Sequence, residues 1–336
     1  MRFPILLLCL TLFPYPFEAR AADAQEPILW SAPAPLPAMR SHVAYGAVGG
    51  QIVTVGGVTR SSTGETIPCA EGLVYDPTAD LWTALPQLPR PRAFAASAVV
   101  GQRLYILGGS DGKRPLADTV ILARLGRKWE WLRGPALPAP RARAAAVTLG
   151  ARILIIGGTS ALDPMADPNR DVLAFDVANP DAGWQARRAL PGAGRMDAAA
   201  VAYGGKVYLF GGLQRRGGEL RPCDDALVYD PAADRWKRLP DVPCAGAGWR
   251  AVSVGGPIYL MGGTVVWPIT DGRPPGVSDQ IFSFDPVALT FTPAGRLPLQ
   301  LTDFALAALP GRRMLIAGGN DAHGQPTNLA LVGNTR

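Results

Sequence analysis

Four arginines recur at one position of the sequence, sixteen residues ahead of a Gly–Gly pair. They are Arg40, Arg92, Arg141 and Arg195, and the same count reaches Gly246 and Thr302 ahead of two further pairs. A guanidinium binds a carboxylate through two parallel hydrogen bonds. Arginines that lie together around one opening of the protein would therefore bind an anionic substrate. The other interpretation is structural, because a position repeated along a chain commonly serves the repeat itself.

The most charged segment between repeats is LQRRGGELRPCDD, in which Glu219 lies between Arg216 and Arg221. A carboxylate beside arginines could act as a general base next to an anion-binding site, although the same arginines would blunt its basicity. Glu219 and Arg221 are therefore the catalytic candidates. The alternative is a solvated hairpin, since charged loop tips commonly face water.

Histidine and cysteine are too sparse for the common metal and thiol sites. The chain has only His42 and His323, too far apart to suggest a copper centre, and no Ser/His/Asp nucleophile motif is recognisable. Cys69, Cys223 and Cys244 form no CxxC or Cys/His cluster, so we expect no metal and no other cofactor. Cys223 and Cys244 fall in loops on one predicted face, which predicts a disulfide in an oxidising compartment.

Six apolar runs, each closed by a Gly–Gly pair, organise the chain. They are QIVTVGG, RLYILGG, RILIIGG, KVYLFGG, PIYLMGG and RMLIAGG, and the first glycines of successive pairs lie 49 to 56 residues apart. A strand of small residues precedes each run, and a loop and a strand such as GLVYD follow it. Turns of the form DPxxDxW, or a looser variant, then place Trp82, Trp184 and Trp236 on a fourth strand. A period of about 50 residues with four strands is typical of a propeller blade.

The two ends of the sequence complement each other. The sixth unit has the strands DFALAAL, RMLIAGG and NLALV and then stops without a fourth. Residues 28 to 37, ILWSAPAPLP, look like a fourth strand that carries Trp30. We therefore predict an all-β, six-bladed propeller over residues 28 to 333, with the N-terminal strand completing the last blade and closing the ring.

These glycine pairs, with a Tyr–Asp and a Trp downstream, resemble the kelch repeat over nearly all of residues 28 to 333. The loops between second and third strands are long and charged, whereas the links between first and second strands have two or three residues, such as Gly49-Gly50. Loops on a rigid scaffold are where functional sites accumulate. We therefore expect the site on the face that carries the long loops.

The first residues resemble a signal peptide. Arg2, the apolar run from Ile5 to Phe13 and Ala19-Arg20-Ala21 follow its basic, hydrophobic and small-residue order, which predicts cleavage after residue 21 or 22 and a periplasmic or secreted protein. The apolar run is too short to span a bilayer, so no membrane span is expected.

The net charge of +6 favours anionic partners. Scattered basic residues without aromatic platforms argue against nucleic acid.

Among kelch propellers of this size, the sequence is similar to the bacterial N-acetylneuraminate epimerase (sialic acid mutarotase) group. The resemblance implies an isomerase that interconverts the anomers of free sialic acid without a cofactor. It also implies an acidic proton acceptor just after one Gly–Gly pair and an arginine ahead of the third strand. Arg221, ahead of ALVYD, matches the arginine, whereas Leu213 follows Gly211-Gly212 and Glu219 is displaced along the chain.

Two functional classes remain open at this point. The first is a mutarotase or epimerase acting on sialic acid or a similar carboxylated sugar. The second is a non-catalytic kelch propeller that binds a carbohydrate or a protein, because a fold alone does not confer function. The partner would be a small anionic sugar in the first case, and a sugar or an acidic peptide in the second.

Overall fold

The computed structural model describes residues 28–126, 128–163 and 166–335. The predicted signal peptide, residues 1 to 21, lies outside them. This part of the chain is built almost entirely of antiparallel β-strands, with two single-turn 3-10 helices at Pro180–Ala182 and Ile269–Asp271. None of the helices in these ranges has the length and apolar character needed to cross a membrane.

Six four-stranded antiparallel sheets form the body of the protein. We number them 1 to 6 along the chain and call the first strand of each the inner strand. The last strand of sheet 6 comes from the start of the described chain. The strands are Ala44–Val48, Gln51–Val55, Gly72–Asp76 and Leu81–Ala84 in sheet 1; Ala96–Val100, Arg103–Leu107, Thr119–Leu125 and Lys128–Arg133 in sheet 2; Ala145–Leu149, Arg152–Ile156, Val172–Asp176 and Trp184–Arg187 in sheet 3; Ala199–Tyr203, Lys206–Phe210, Ala226–Asp230 and Arg235–Arg238 in sheet 4; Arg250–Ser253, Ile258–Met261, Gln280–Asp285 and Thr290–Arg296 in sheet 5; and Ala305–Leu309, Arg313–Ala317, Ala330–Asn334 and Leu29–Ser31 in sheet 6.

Three of the long loops between second and third strands carry strands of their own. They are the hairpins Val58–Arg60 with Thr66–Pro68, Leu213–Arg216 with Glu219–Pro222, and Thr264–Val266 with Gly276–Val277. The last hairpin also pairs with Ala245–Ala247, a strand from the segment ahead of sheet 5. These additions leave the four-stranded sheets intact. The length variation between repeats is therefore absorbed outside the sheets.

The second strand of each sheet is buried on both faces, which explains its continuous apolar sequence. In sheet 2, for example, the four residues from Leu104 to Leu107 are all buried. The core lies between neighbouring sheets: one cluster joins Val53 and Val74 of sheet 1 to Leu104 and Leu122 of sheet 2. Each sheet is thus held by the sheets beside it.

Trp82, Trp184 and Trp236 lie on fourth strands, as the sequence predicts, and they connect one sheet to the previous one. Each indole N–H donates to a main-chain oxygen that follows the fourth strand of the preceding sheet: Trp82 to Ala34 at 2.8 Å, Trp184 to Pro135 at 3.3 Å and Trp236 to Arg188 at 2.8 Å. Trp131 makes the same bond from sheet 2, to Pro86 at 2.9 Å. In sheet 5, Phe291 takes this position and pairs with Phe284.

The first glycine of each pair sits where another chain segment comes very close. Gly108 and Gly157 have positive φ, and a Cβ on either would clash with the main-chain oxygen of Arg141 or Arg195. Those oxygens belong to the loop that enters the next sheet. The packing of adjacent sheets therefore leaves no room for a side chain at these two glycines.

The two ends of the described chain pair in sheet 6. Leu29, Trp30 and Ser31 lie opposite Asn334, Gly333 and Val332. The inner strands also contact one another in cyclic order, from sheet 1 to sheet 6 and back to sheet 1. This all-β arrangement of repeated antiparallel sheets is consistent with a kelch-type propeller.

Candidate functional site

The four repeated arginines lie inside the protein. Arg40 is 9% exposed and the other three are 1–2% exposed. Each guanidinium binds the acidic residue just ahead of the third strand of its own sheet: Arg40 to Glu71 at 3.1 Å, Arg92 to Asp118 at 2.5 Å, Arg141 to Asp171 at 3.1 Å and Arg195 to Asp225 at 2.6 Å. Three of them also donate to the main-chain oxygen of the first glycine of the pair. Each arginine thus holds its own sheet together.

These contacts are the ones that the structural interpretation predicts. None of the four arginines lines the cavity described below, and the substrate-binding role suggested for them stays a prediction without a contact to support it. The sequence count also misplaces the sixth position. Where the position is an arginine, its main-chain oxygen faces the first glycine of the preceding sheet, as Arg141 faces Gly108. In sheet 6 the oxygen that faces Gly262 belongs to Leu301 and not to Thr302. The count is off by one because the turn between the first two strands of sheet 6 is one residue longer than in sheets 1 to 4.

Glu219 and Arg221 bind each other on the surface. Arg221 Nη2 donates to Glu219 Oε2 at 2.8 Å, and their side chains are 62% and 68% exposed respectively. Both lie on the hairpin strand Glu219–Pro222, and neither lines the cavity described below. The geometry is that of a solvated hairpin, so their catalytic role remains a prediction that these contacts do not favour.

The predicted Cys223–Cys244 disulfide is wrong. Cys69, Cys223 and Cys244 are all buried free thiols. Cys223 Sγ points to the main-chain oxygen of Gly212, at 3.2 Å, whereas Cys244 packs in an apolar cluster with Trp249. Burial raises the pKa of both Cys223 and Cys244 to about 12. A raised pKa keeps the thiolate scarce, so these are inert core residues.

A cavity of about 390 Å³ lies between the six inner strands. Small side chains line most of its wall, as at Ala96, Ala98, Ala145, Val147 and Ala199. Pockets for small ligands usually have volumes of about 300–1,000 Å³. The cavity therefore has room for one small molecule.

Six equivalent residues where the inner strands begin join the main chain into a ring. Each N–H donates to the carbonyl oxygen of the equivalent residue in the preceding sheet, at 2.9–3.4 Å. Five have positive φ of 53–58° without being glycine, a conformation that costs about 1 kcal/mol each. We call them the rim residues: His42, Phe94, Arg143, Asp197, Gly248 and Asp303.

Ionisable side chains gather at this rim. Arg143 and Asp197 form a close ion pair, and His42 Nε2 lies 3.3 Å from Asp303 Oδ2. Arg250, on the inner strand of sheet 5, completes the group: its Nε donates to the main-chain oxygen of Phe304 at 2.8 Å, and its Nη2 lies 3.9 Å from Asp303 Oδ1. All five ionisable side chains line the cavity.

The charges at the rim reinforce one another. Burial alone would raise the pKa of Asp303, but the positive charges of His42 and Arg250 and hydrogen bonds from His42 and Thr302 hold it far below the ordinary value. Burial would also lower the pKa of Arg143, and Asp197 outweighs it, so that this pKa is raised. The Asp303 carboxylate and the Arg143 guanidinium therefore stay charged across the physiological range.

This arrangement can bind an anion and move a proton. Two arginines face the cavity, and imidazole is the side chain that most readily exchanges protons near neutral pH. Within residues 28–126, 128–163 and 166–335, no three His, Cys, Asp or Glu side chains gather closely enough to hold a metal ion. The chemistry that these side chains offer is anion binding and acid–base catalysis.

Comparisons with known proteins find similarity to epimerases and to kelch proteins. A family model described as N-acetylneuraminate epimerase matches residues 166–267, and one described as a protein of unknown function matches residues 15–165. The N-acetylneuraminate epimerase of Haemophilus influenzae (strain 86-028NP) is 27% identical over 173 residues, covering 43% of this chain and 46% of the relative. That of Yersinia enterocolitica is 35% identical over 102 residues, covering 29% and 26%.

A mouse protein, Kelch-like protein 35, matches more of the chain. It is 27% identical over 286 residues, which cover 82% of this chain and 43% of the relative. The chain spans less than half the length of each of these curated relatives. At this modest identity, it resembles a kelch-repeat propeller and, within that class, the N-acetylneuraminate epimerase group.

Proposed function

We propose that this chain is a six-bladed propeller, closed by its first strand, that binds a small carboxylated sugar such as sialic acid in the cavity and speeds the exchange of its anomers. Export is part of the proposal and rests on the signal-peptide pattern of residues 1 to 21. The observation that carries the proposed activity is the set of ionisable side chains around the cavity, His42, Arg143, Asp197, Arg250 and Asp303.

Three features support a closed ring of six blades. Sheet 6 takes its fourth strand, Leu29–Ser31, from the beginning of the described chain. The inner strands contact each other in a complete cycle. The main-chain hydrogen bonds of the rim residues form a circle in which Asp303 accepts from His42, the residue that begins the cycle in sheet 1.

Arg250 is the best placed carboxylate ligand. Its Nε and Nη1 donate to the main-chain oxygens of Phe304 and Trp249 at 2.8 and 3.2 Å, which fixes the plane of the guanidinium. Its Nη2 stands 3.9 Å from Asp303, beyond hydrogen-bond distance. That donor is thus preorganised and available to a substrate carboxylate. Arg250 and Asp197 also lie in the segment that matches the epimerase model.

Catalysis of anomer exchange needs only a few protein groups. Opening a cyclic hemiketal requires proton removal from the anomeric hydroxyl and proton delivery to the ring oxygen, with the carboxylate held in place. An arginine, a proton-transfer residue and a cavity that fits one sugar meet that requirement. A polar rim above a wall of alanine and valine also suits a sugar with a charged end and a small apolar substituent.

Replacing Arg250 by lysine is expected to weaken the binding of N-acetylneuraminate about 10- to 100-fold, because a charge-assisted hydrogen bond in fixed geometry contributes about 1.5–3 kcal/mol and lysine cannot reproduce the planar fork. Titration calorimetry measures the affinity. The matched control is Arg235→Lys, at an exposed position on the fourth strand of sheet 4, which should bind like the wild type.

Two results would count against this assignment in different ways. Unchanged affinity in Arg250→Lys would remove Arg250 as the carboxylate ligand. Absence of any binding by the wild-type protein would remove the carboxylated sugar. Saturable binding without accelerated exchange would instead favour the non-catalytic binding propeller.

A further inference from the structure

We propose that His42, held between Ser41 and Asp303, is the residue that delivers a proton to the substrate in the cavity. This inference rests on the proposed function and deepens it, because it identifies the acid of the reaction. It also moves the acid–base role from the exposed Glu219 to a residue that lines the cavity.

Contacts on three sides fix the orientation of the His42 ring. Nδ1 lies 3.1 Å from Ser41 Oγ, and Nε2 lies 3.3 Å from Asp303 Oδ2. The ring also packs on Phe94, with 4.4 Å between ring centroids. Ser41 is fully buried, whereas the His42 side chain keeps 18% of its surface exposed. The imidazole is therefore rigidly held but reachable from the cavity.

The two partners of the ring suit a group that gains and loses a proton. A carboxylate only accepts hydrogen bonds, so the contact with Asp303 favours the form of the ring that carries a proton on Nε2. A serine hydroxyl can accept from Nδ1–H or donate to a bare Nδ1, so Ser41 serves both charge states. The Nε2 contact of 3.3 Å is longer than a typical charge-assisted hydrogen bond. A substrate oxygen can therefore share this proton.

The surrounding charges come from four other blades. Asp303 of sheet 6 is the nearest carboxylate, and Arg250 of sheet 5 lies against that same carboxylate. Arg143 of sheet 3 and Asp197 of sheet 4 form an ion pair on the other side of the rim. With His42 protonated, these five side chains carry a net charge of +1. That charge favours an anionic sugar.

The proton-transfer step balances as follows. The bond from the anomeric carbon to the ring oxygen breaks, its electron pair goes to the ring oxygen, and His42 Nε2 gives that oxygen its proton. The anomeric hydroxyl loses its proton to water, and its electron pair forms the carbonyl. Closure on the opposite face of the carbonyl reverses both transfers and returns the proton to His42, so nothing is consumed.

Asparagine is the best test substitution at residue 42, because His42 has a φ of 53° and asparagine tolerates the left-handed region. We expect His42→Asn to slow catalysed anomer exchange about 100-fold or more, the usual contribution of general acid–base catalysis. The variant should still bind N-acetylneuraminate, because Arg250 is unchanged, so the loss should appear in the exchange rate rather than in the affinity. His323→Asn, at an exposed loop position, is the matched control and should keep the wild-type rate.

The outcomes separate this inference from the proposed function. If the wild type neither binds N-acetylneuraminate nor speeds exchange, the proposed function fails and the inference fails with it. If the wild type is active and His42→Asn keeps its rate, only the inference fails. Imidazole NMR gives a readout besides activity: Asp303→Asn should shift the Nε2 resonance of His42, and an unchanged resonance would contradict the pairing.

Discussion

Replacing Arg195 by methionine is expected to lower the free energy of unfolding by about 3–5 kcal/mol, the usual cost of removing one partner of a buried ion pair. Arg195 is 1% exposed, and its guanidinium bonds both Asp225 and the main-chain oxygen of Gly211. Methionine would fill the space but leave the Asp225 carboxylate buried without its counter-charge. Urea unfolding at neutral pH measures the loss.

The pH dependence of this variant has a definite sign. In the wild type, burial raises the pKa of Asp225, but the charge and hydrogen bonds of Arg195 outweigh it, so the pKa lies below its ordinary value. The pair therefore stabilises the fold above about pH 4, the ordinary aspartate range, and loses this contribution as pH falls through the lowered pKa. Without Arg195, burial acts unopposed and favours the protonated acid. The difference between variant and wild type should shrink as the pH approaches 4.

Arg235→Met is the control for that experiment, since Arg235 is exposed, and it should cost little. A loss below about 1 kcal/mol in Arg195→Met would mean that the buried pair is not structural. If Arg195→Met lost sugar binding without losing stability, the substrate-binding interpretation of the repeated arginines would be favoured again.

A chain that begins at Pro33 should lose about 3–5 kcal/mol of stability, because it lacks a whole strand and the burial of two large side chains. The missing strand, Leu29–Ser31, pairs with Ala330–Asn334. Trp30 packs against the core between sheets 5 and 6, and Ile28 is 8% exposed. The deletion also opens the edge of a sheet, which invites association between chains. Thermal unfolding and light scattering measure the two effects.

The control for this deletion is a chain that begins at Ile28, which keeps the strand and should unfold like the longer protein. Equal stability of the two chains would contradict the closed-ring proposal. A large loss without association would leave the pairing intact and show that the exposed edge is protected in another way.

The repeat structure is readable from the sequence because each sheet obeys the same packing constraints. Glycine is needed wherever the second strand passes the loop of the next sheet, as at Gly108, and an aromatic residue recurs where a fourth strand meets the preceding sheet, as at Trp236. Those constraints act in every repeat and leave a periodic trace. In sheet 6 the count from the glycine pair gives Thr302 instead of Leu301, because the turn between the first two strands has three residues there.

The site was harder to find because its residues do not repeat. The arginine position that Arg195 represents is occupied by arginine in four sheets, and each of these arginines pairs within its own sheet. Two residues after that position the side chain differs from sheet to sheet, as His42, Arg143 and Asp197 illustrate. A signal was present: the rim position has one backbone conformation but a different chemistry in each repeat. At this position the fold fixes the main chain and leaves the side chain free to vary, so a search for repeated residues does not find it.

Side-chain direction explains the two other differences. Glu219 and Arg221 alternate with Leu220 along a short hairpin strand, and spacing cannot tell which face of a hairpin turns to water. Cys223 and Cys244 do lie near each other along the fold, because Cys223 bridges Gly246. Cys223 however directs its sulfur to Gly212, and loop spacing does not predict that choice.

The most direct test of the central claim is the exchange of N-acetylneuraminate between its two anomers, followed by NMR with wild-type protein at catalytic concentration. The β-anomer is allowed to equilibrate in the presence of the protein, of Arg250→Lys or of buffer alone. We expect the wild type to accelerate equilibration well beyond buffer, and Arg250→Lys to do so far less at the same sugar concentration. Equilibration at the buffer rate, in a sample whose protein is folded, would contradict the account.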